Sequence, residues 1–141
     1  MRFVSIIIAI LLLDQGVKQL LLRLLDHPLW LVPNQIGLNL SFNEGVAFSL
    51  PITGLMSILL SLSIILGLLY YYFFSTRKGL FTDLSFALII GGAFGNLLDR
   101  FVSGKVTDFI QVYSFPIFNV ADICITVGFL LLIVFFDKIS R

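Results

Sequence analysis

The chain has 141 residues, of which 59% are hydrophobic and 12% charged, with a formal net charge of +1. Soluble domains carry about 25% charged residues, and a chain this short has too little interior to hide so much apolar surface, so the composition excludes an ordinary soluble fold and makes lipid the solvent. The near-neutral balance gives no basis for nucleic-acid binding, and a single cysteine, Cys124, excludes an internal disulfide or a cysteine-based metal cluster.

Four stretches approach the ~20 apolar residues that cross a bilayer: Phe3–Leu25, Leu55–Phe74, Leu80–Leu98 and Ile117–Phe136. The first begins like a secretory signal, but Asp14, Gln15 and Lys18 follow its apolar core in place of a small-residue cleavage site, which predicts an uncleaved span. After it, LNLSF (38–42) and VAFSL (46–50) alternate apolar and polar side chains around Asn43-Glu44-Gly45, predicting a small hairpin on the membrane surface. Two strands alone are marginal in water, so this pair must rest on the helices or the lipid. GGAFG (91–95) suits close helix packing within the third span. VTDFI (106–110) reads as an apolar strip able to dip back into the interface.

Lys and Arg in the flanks set the orientation. Arg2, Arg77, Lys78, Lys138 and Arg141 lie on one side, and Arg23, Arg100 and Lys105 on the other. Both termini are therefore expected to be cytoplasmic, with loops 26–54 and 99–116 outside. Tyr70, Tyr71 and Tyr72 fit an aromatic belt at the inner face, and Trp30 one at the outer.

Polar groups converge at one depth. At 1.5 Å per residue, Asp14 lies roughly 16 Å into the first span and Lys18 about 22 Å, one helical turn apart on the same side. Asn96 and Asp99 mark the outer end of the third span. Asp122 is placed about 8 Å below the outer start of the fourth, with Asn119 one turn above it. Some of these have plain readings: Asp14 and Lys18 as a neutralising ion pair, Asn96, Asp99 and Arg100 as a helix-end cluster among headgroups, Asp108 as an exposed loop residue. An acid inside a span, such as Asp122, is a functional candidate by default.

Elimination narrows the chemistry. The only histidine, His27, sits in a loop beside Pro28, and no His-Glu-x-x-His zinc motif is present. Ser103 and Lys105, two apart in a glycine-containing loop, do not make a buried dyad. Carboxylates remain. Two of them held close share one proton and supply both a base for water and an acid for the leaving group. Asp108 and Asp122 are the natural pair.

In one order along the chain stand DQGVK (14–18), FNEGVAFS (42–49), GGAFGNLLDR (91–100), VTDFI (106–110) and FNVADICITVG (118–128). On these blocks the sequence resembles the lipoprotein signal peptidases (type II signal peptidases), integral membrane aspartic proteases of bacteria. The resemblance implies a single membrane domain over 1–141, all-α with four transmembrane helices and a small outward-facing β-strand cradle on the outer loop. It implies cleavage of prolipoproteins just before a cysteine carrying a thioether-linked diacylglycerol, with Asp108 and Asp122 catalytic. Asp14, Lys18, Asn43, Asn96, Asp99, Arg100, Asn119 and Ala121 match its other characteristic positions. Among these, Asn96, Asn119 and Asp99 would orient the acids and Arg100 would tie the third helix to the outer loop. Asn43 would clamp substrate, while Asp14 and Lys18 would support the pocket. No cofactor or metal is expected. The expected partners are diacylglyceryl-modified prolipoproteins and membrane lipid, the expected state a monomer, and the expected place the bacterial cytoplasmic (inner) membrane with the active site near the outer face. The alternative function is a small proton-coupled multidrug-type transporter built on one membrane-embedded acid. A non-catalytic assembly factor would be marked by pairing of Asp122 with Lys18.

Overall fold

A computed structural model describes residues 1–45 and 54–139. In chain order its elements are α1 (Arg2–Leu24), β1 (Leu29–Val32), β2 (Ile36–Asn43), α2 (Gly54–Ser75), α3 (Leu80–Ser103), β3 (Val106–Val112), α4 (Val120–Val134) and α5 (Phe136–Ile139). Three helices, α1, α2 and α3, are long and apolar enough to cross a membrane, and α4 is a shorter apolar helix. Its 15 residues span about 22 Å, less than the ~30 Å hydrocarbon thickness.

The helices pack around α3, which buries twelve of its residues where α1 buries four and α2 three. Small residues permit this. A Cβ on Gly92 would stand 2.5 Å from the Ala121 carbonyl oxygen of α4, and one on Gly95 would stand 2.5 Å from Asp14 Oδ2 of α1. Gly128 repeats the device from α4, where a Cβ would meet Ile89 Cγ1 at 2.6 Å. The GGAFG stretch therefore does what its composition suggests: it brings α1 and α4 onto α3 at backbone distance. At the end of the bundle that holds the N-terminus, Phe3 stacks on Tyr72 with ring centroids 4.0 Å apart. The Tyr72 hydroxyl donates to Asp83 Oδ1 at 2.8 Å, and Arg2 pairs with Asp83 at 3.2 Å. Of the three tyrosines assigned to a belt, Tyr70 and Tyr71 are exposed and Tyr72 is turned into the core, because its ring has Phe3 and its hydroxyl has Asp83.

At the other end lies a three-stranded antiparallel sheet in the order β1-β2-β3. The expected hairpin joined 38–42 to 46–50. The first half is found within β2, while 46–50 lie outside the described residues. β2 pairs with β1 and with β3, placing Ser41 opposite Asp108 and Asn43 opposite Val106. Asn34, at φ 56, turns the chain from β1 to β2. VTDFI is thus part of a strand, β3. Two helix ends also move from expectation. α3 continues past Leu98 to Ser103 because Asp99 and Arg100 are buried with partners rather than met by headgroups, and it stops at Gly104, whose φ of 75 lets its N–H close on the Arg100 carbonyl. α4 begins at Val120, not Ile117, because Phe118 is still extended and bridges to Ile110 of β3.

Candidate active site

The first turn of α4 is built by two side chains. Asn119, extended at φ −130, is the N-cap: its Oδ1 accepts from the Asp122 N–H at 2.9 Å, and its own N–H donates to Asp122 Oδ2 at 3.2 Å. This reciprocal capping box satisfies two of the four orphan donors at a helix start. Asp122 is therefore in the first turn, shallower than the sequence estimate, and Asn119 stands before the helix rather than one turn up its face.

The Asn119 amide does a second task. Its Nδ2 donates to Asp108 Oδ1 at 2.7 Å, and also approaches Asn96 Oδ1 at 3.0 Å and the Thr107 carbonyl at 3.3 Å. Asp108 is only 4% exposed, so the exposed-loop reading fails: β3 carries it inward, across from Ser41. Asn96 of α3 completes the arrangement by donating Nδ2 to Asp122 Oδ1 at 2.8 Å, while its Oδ1 accepts from Lys18 Nζ at 3.2 Å. Lysine can only donate, so Asn96 must face its oxygen to Lys18 and has its amide left for Asp122.

The electrostatics follow from this geometry. Burial, and next the neighbouring Asp122 charge, push the Asp108 carboxyl up from 3.8 to about 7, against the opposing pull of the Asn119 hydrogen bond, Lys18 and Asn43. Near neutral pH the Asp108 carboxyl is therefore able both to hold and to release a proton. Behind them lies a buried ionic cluster. Asp14 and Lys18 are 0% and 1% exposed, paired at 2.7 Å, and Lys18 also reaches Asp99 Oδ2 at 3.0 Å. Asp14 Oδ1 accepts from the Ala121 N–H at 2.9 Å, and Asp99 Oδ2 from the Thr107 N–H at 3.0 Å. Arg100 Nη2 donates to the Gly45 carbonyl at 3.0 Å, tying α3 to the stretch after β2, and its charge faces Asp122, Asp108 and Asp99. Asn43 Oδ1 accepts from the Gly45 N–H at 2.9 Å.

The ten residues singled out in the sequence thus fall in one neighbourhood. Sequence reasoning missed Gln15, which lies beside Asp14 in DQGVK and donates Nε2 to Asp99 Oδ1 at 2.8 Å; a third polar residue in one span was the available signal. It also missed the backbone role of Thr107. Ser103 and Lys105 form no dyad: the serine hydroxyl donates to backbone carbonyls at Asp99 and Lys105, and Lys105 Nζ sits 4.0 Å over the Phe42 ring. Lys18 pairs with Asp14 and Asp99, not in the way the assembly-factor reading requires. Among the described residues no group of three or more His, Cys, Asp or Glu side chains is arranged to hold a metal ion.

A helical membrane protein with a small sheet at one end and carboxyl groups gathered beneath it is the class that fold and site define. The family model described as signal peptidase (SPase) II matches residues 6–137. A lipoprotein signal peptidase of Chlorobaculum parvum is 42% identical over 133 residues, covering 84% of this chain and 82% of that protein. One of Caldicellulosiruptor bescii is 42% identical over 129 residues, covering 90% and 85%. A solved structure described as a bacterial membrane enzyme superposes with a TM-score of 0.84 at 28% identity, covering 96% of this chain and 87% of that one. The chain belongs to the signal peptidase II family, and it is a protease. The transporter alternative finds no support in these relationships.

Proposed function

We propose that Asp108 and Asp122 are the catalytic pair of an aspartic endopeptidase, sharing one proton. The observation that carries this reading is that one residue, Asn119, hydrogen-bonds both carboxyls, Asp108 through its side-chain amide and Asp122 through its backbone N–H. The chain removes signal peptides from prolipoproteins. In the proposed step the ionised acid takes a proton from water as the water oxygen bonds to the scissile carbonyl carbon, and the protonated acid gives its proton to the carbonyl oxygen. The tetrahedral intermediate then collapses: its C–N bond breaks as the nitrogen takes a proton from one acid and a diol hydroxyl returns a proton to the other, so that a carboxylic acid and a free amine leave and the pair again holds one proton. The cut falls before a cysteine bearing a thioether-linked diacylglycerol. Asn96, Asn119 and Asp99 orient the acids, Arg100 holds the segment after β2 against α3, and Asn43 with the sheet clamps the substrate peptide.

A single domain over 1–141 acts as a monomer in the bacterial inner membrane. α4 completes a fourth crossing with α5 and its flanks, and both termini are cytoplasmic, since five cationic residues flank that side against three on the other. The acids then lie near the outer face. A signal helix and two acyl chains all partition into lipid, so an enzyme that meets them where they emerge needs its water at shallow depth. Cleavage of a synthetic diacylglyceryl-modified prolipoprotein peptide by detergent-purified enzyme tests the reading. Product with a free lipidated amino-terminal cysteine is expected. Equal cutting of the unmodified peptide would remove the lipid requirement, and full turnover by Asp108→Asn or Asp122→Asn would remove the pair.

A further inference from the structure

Lys18 forms no hydrogen bond or ion pair with Asp108 or Asp122 among the described residues, yet the segments that carry them meet at its ammonium. That group has three protons and three acceptors: Asp14 Oδ2 at 2.7 Å, Asp99 Oδ2 at 3.0 Å and Asn96 Oδ1 at 3.2 Å. Each acceptor reaches onward. Asp14 Oδ1 takes the N–H of Ala121, the residue before Asp122. Asp99 Oδ2 takes the N–H of Thr107, the residue before Asp108. Asn96 donates directly to Asp122 Oδ1. The ammonium is saturated and 1% exposed, so it has no proton to offer a substrate.

We infer that Lys18 is a positioning residue that sets the separation of the two acids, by locking the residue ahead of each to the same buried cation. This rests on the catalytic reading of Asp108 and Asp122. A buried ion pair is weak as a stabiliser, because desolvating two charges offsets most of their attraction, but it is demanding about geometry. Here that demand is useful: α1 joins α4 and β3, which otherwise come from separate chain segments. The charged groups facing the pair, among the described residues, are Asp14 and Lys18 from α1 and Asp99 and Arg100 from α3, with Asn43 as the polar group from β2. Lys18 also lowers the proton affinity of the Asp108 carboxyl.

The test is steady-state cleavage by purified Lys18→Met and Lys18→Arg enzymes, normalised to folded protein by gel filtration and thermal midpoint. For Lys18→Met, kcat is expected to fall about 100-fold with KM within about twofold, the scale of an ångström-level misplacement. Both limbs of its pH–kcat profile are expected to move up by about one pH unit, since a neighbouring positive charge is gone. Lys18→Arg keeps the charge but offers a planar fork in place of three tetrahedral donors, so its limbs should stay at wild-type pH while kcat remains depressed. A merely structural lysine would lower the yield of folded enzyme and leave both kcat per folded molecule and the limbs unmoved; that result overturns the inference. If Lys18→Met does not fold, the charge-balanced Asp14→Asn/Lys18→Met double variant replaces it, and failure of both to fold makes Lys18 a folding residue and equally overturns it. Asp108→Asn and Asp122→Asn are measured alongside: full activity in either sinks the catalytic pair itself, whereas inactive aspartate variants beside unaltered Lys18 variants sink only the positioning role.

Discussion

Asn119 and Asp122 each accept a hydrogen bond from the other's backbone N–H, at 2.9 and 3.2 Å. The same carboxylate that caps α4 is thus the candidate acid, and the two roles separate by substitution. Asp122→Asn keeps an oxygen for the Asn119 N–H and should retain the helix start while losing the titratable group. Its turnover is expected to drop below detection with a thermal midpoint near wild type. Asp122→Ala loses half the box as well and should cost about 1 kcal/mol more. Equal stability of the two variants would detach the cap from the acid.

Asn119→Ala is a harsher change than its position in a turn suggests. It removes the cap, worth about 1 kcal/mol, and withdraws the donor at 2.7 Å from a buried carboxyl, worth about 1–3 kcal/mol more. The expected outcome is a large loss of both stability and turnover, read by denaturation midpoint and peptide cleavage. Asn119→Asp retains an acceptor for the Asp122 N–H but sets a third carboxyl beside the pair, so it should keep more helix and no more activity than Asn119→Ala. Activity close to wild type in Asn119→Asp would show that the amide donor is dispensable.

How much of this was legible turns on range. The shared side of Asp14 and Lys18 on α1 follows the i,i+4 spacing, because helix periodicity is a local quantity. The start of α4 was misplaced although Asn119-x-x-Asp122 is itself a capping pattern: Ile117 and Phe118 prolong the apolar run, and only their extended pairing with β3 shows that they are outside the helix. The end of α3 was drawn at Leu98 because Asp99 and Arg100 look like an exit into water. Their partners lie on α1, on β3 and after β2, contacts that no local pattern displays. β1 is four residues long and β3 is apolar around its one acid, so neither carries the alternation that announces a strand.

Asp108 makes stability depend on pH in a stated direction. Its carboxyl titrates near 3.8 when the chain is unfolded and at about 7 when folded. Between those values the folded protein holds a proton that the unfolded chain has released, so stability falls as pH rises through the window, by up to about 1.4 kcal/mol per pH unit. Below pH ~4 both states are protonated and the dependence from this group vanishes. Asp108→Asn should flatten the profile between pH 5 and 7. Parallel midpoint-versus-pH curves for wild type and Asp108→Asn would rule out the raised affinity.

The site's carboxyls are hydrogen-bonded to amides, backbone N–H groups and an ammonium, and among the described residues no three or more His, Cys, Asp or Glu side chains are grouped to hold a metal ion. Turnover is accordingly expected to survive excess EDTA followed by gel filtration. Loss of activity restored by a divalent metal would require different chemistry.

Two glycines offer opposite outcomes for one substitution. In α2, a Cβ at Gly67 would meet nothing within 4 Å, so Gly67→Ala should gain about 0.5–1 kcal/mol from reduced backbone freedom and leave cleavage alone. At Gly92 the same atom would stand 2.5 Å from the Ala121 carbonyl oxygen and 2.9 Å from Ile125 Cγ1. The first neighbour is backbone and cannot rotate away, so α4 itself must shift, at about 1–3 kcal/mol. Ala121 immediately precedes Asp122, so the shift moves the acid and strains the Asp14–Ala121 hydrogen bond. Gly92→Ala should therefore lose turnover more steeply than stability, measured as kcat per folded enzyme against thermal midpoint. Were Gly92→Ala to match Gly67→Ala in both, the close approach of α4 to α3 would have no part in holding Asp122.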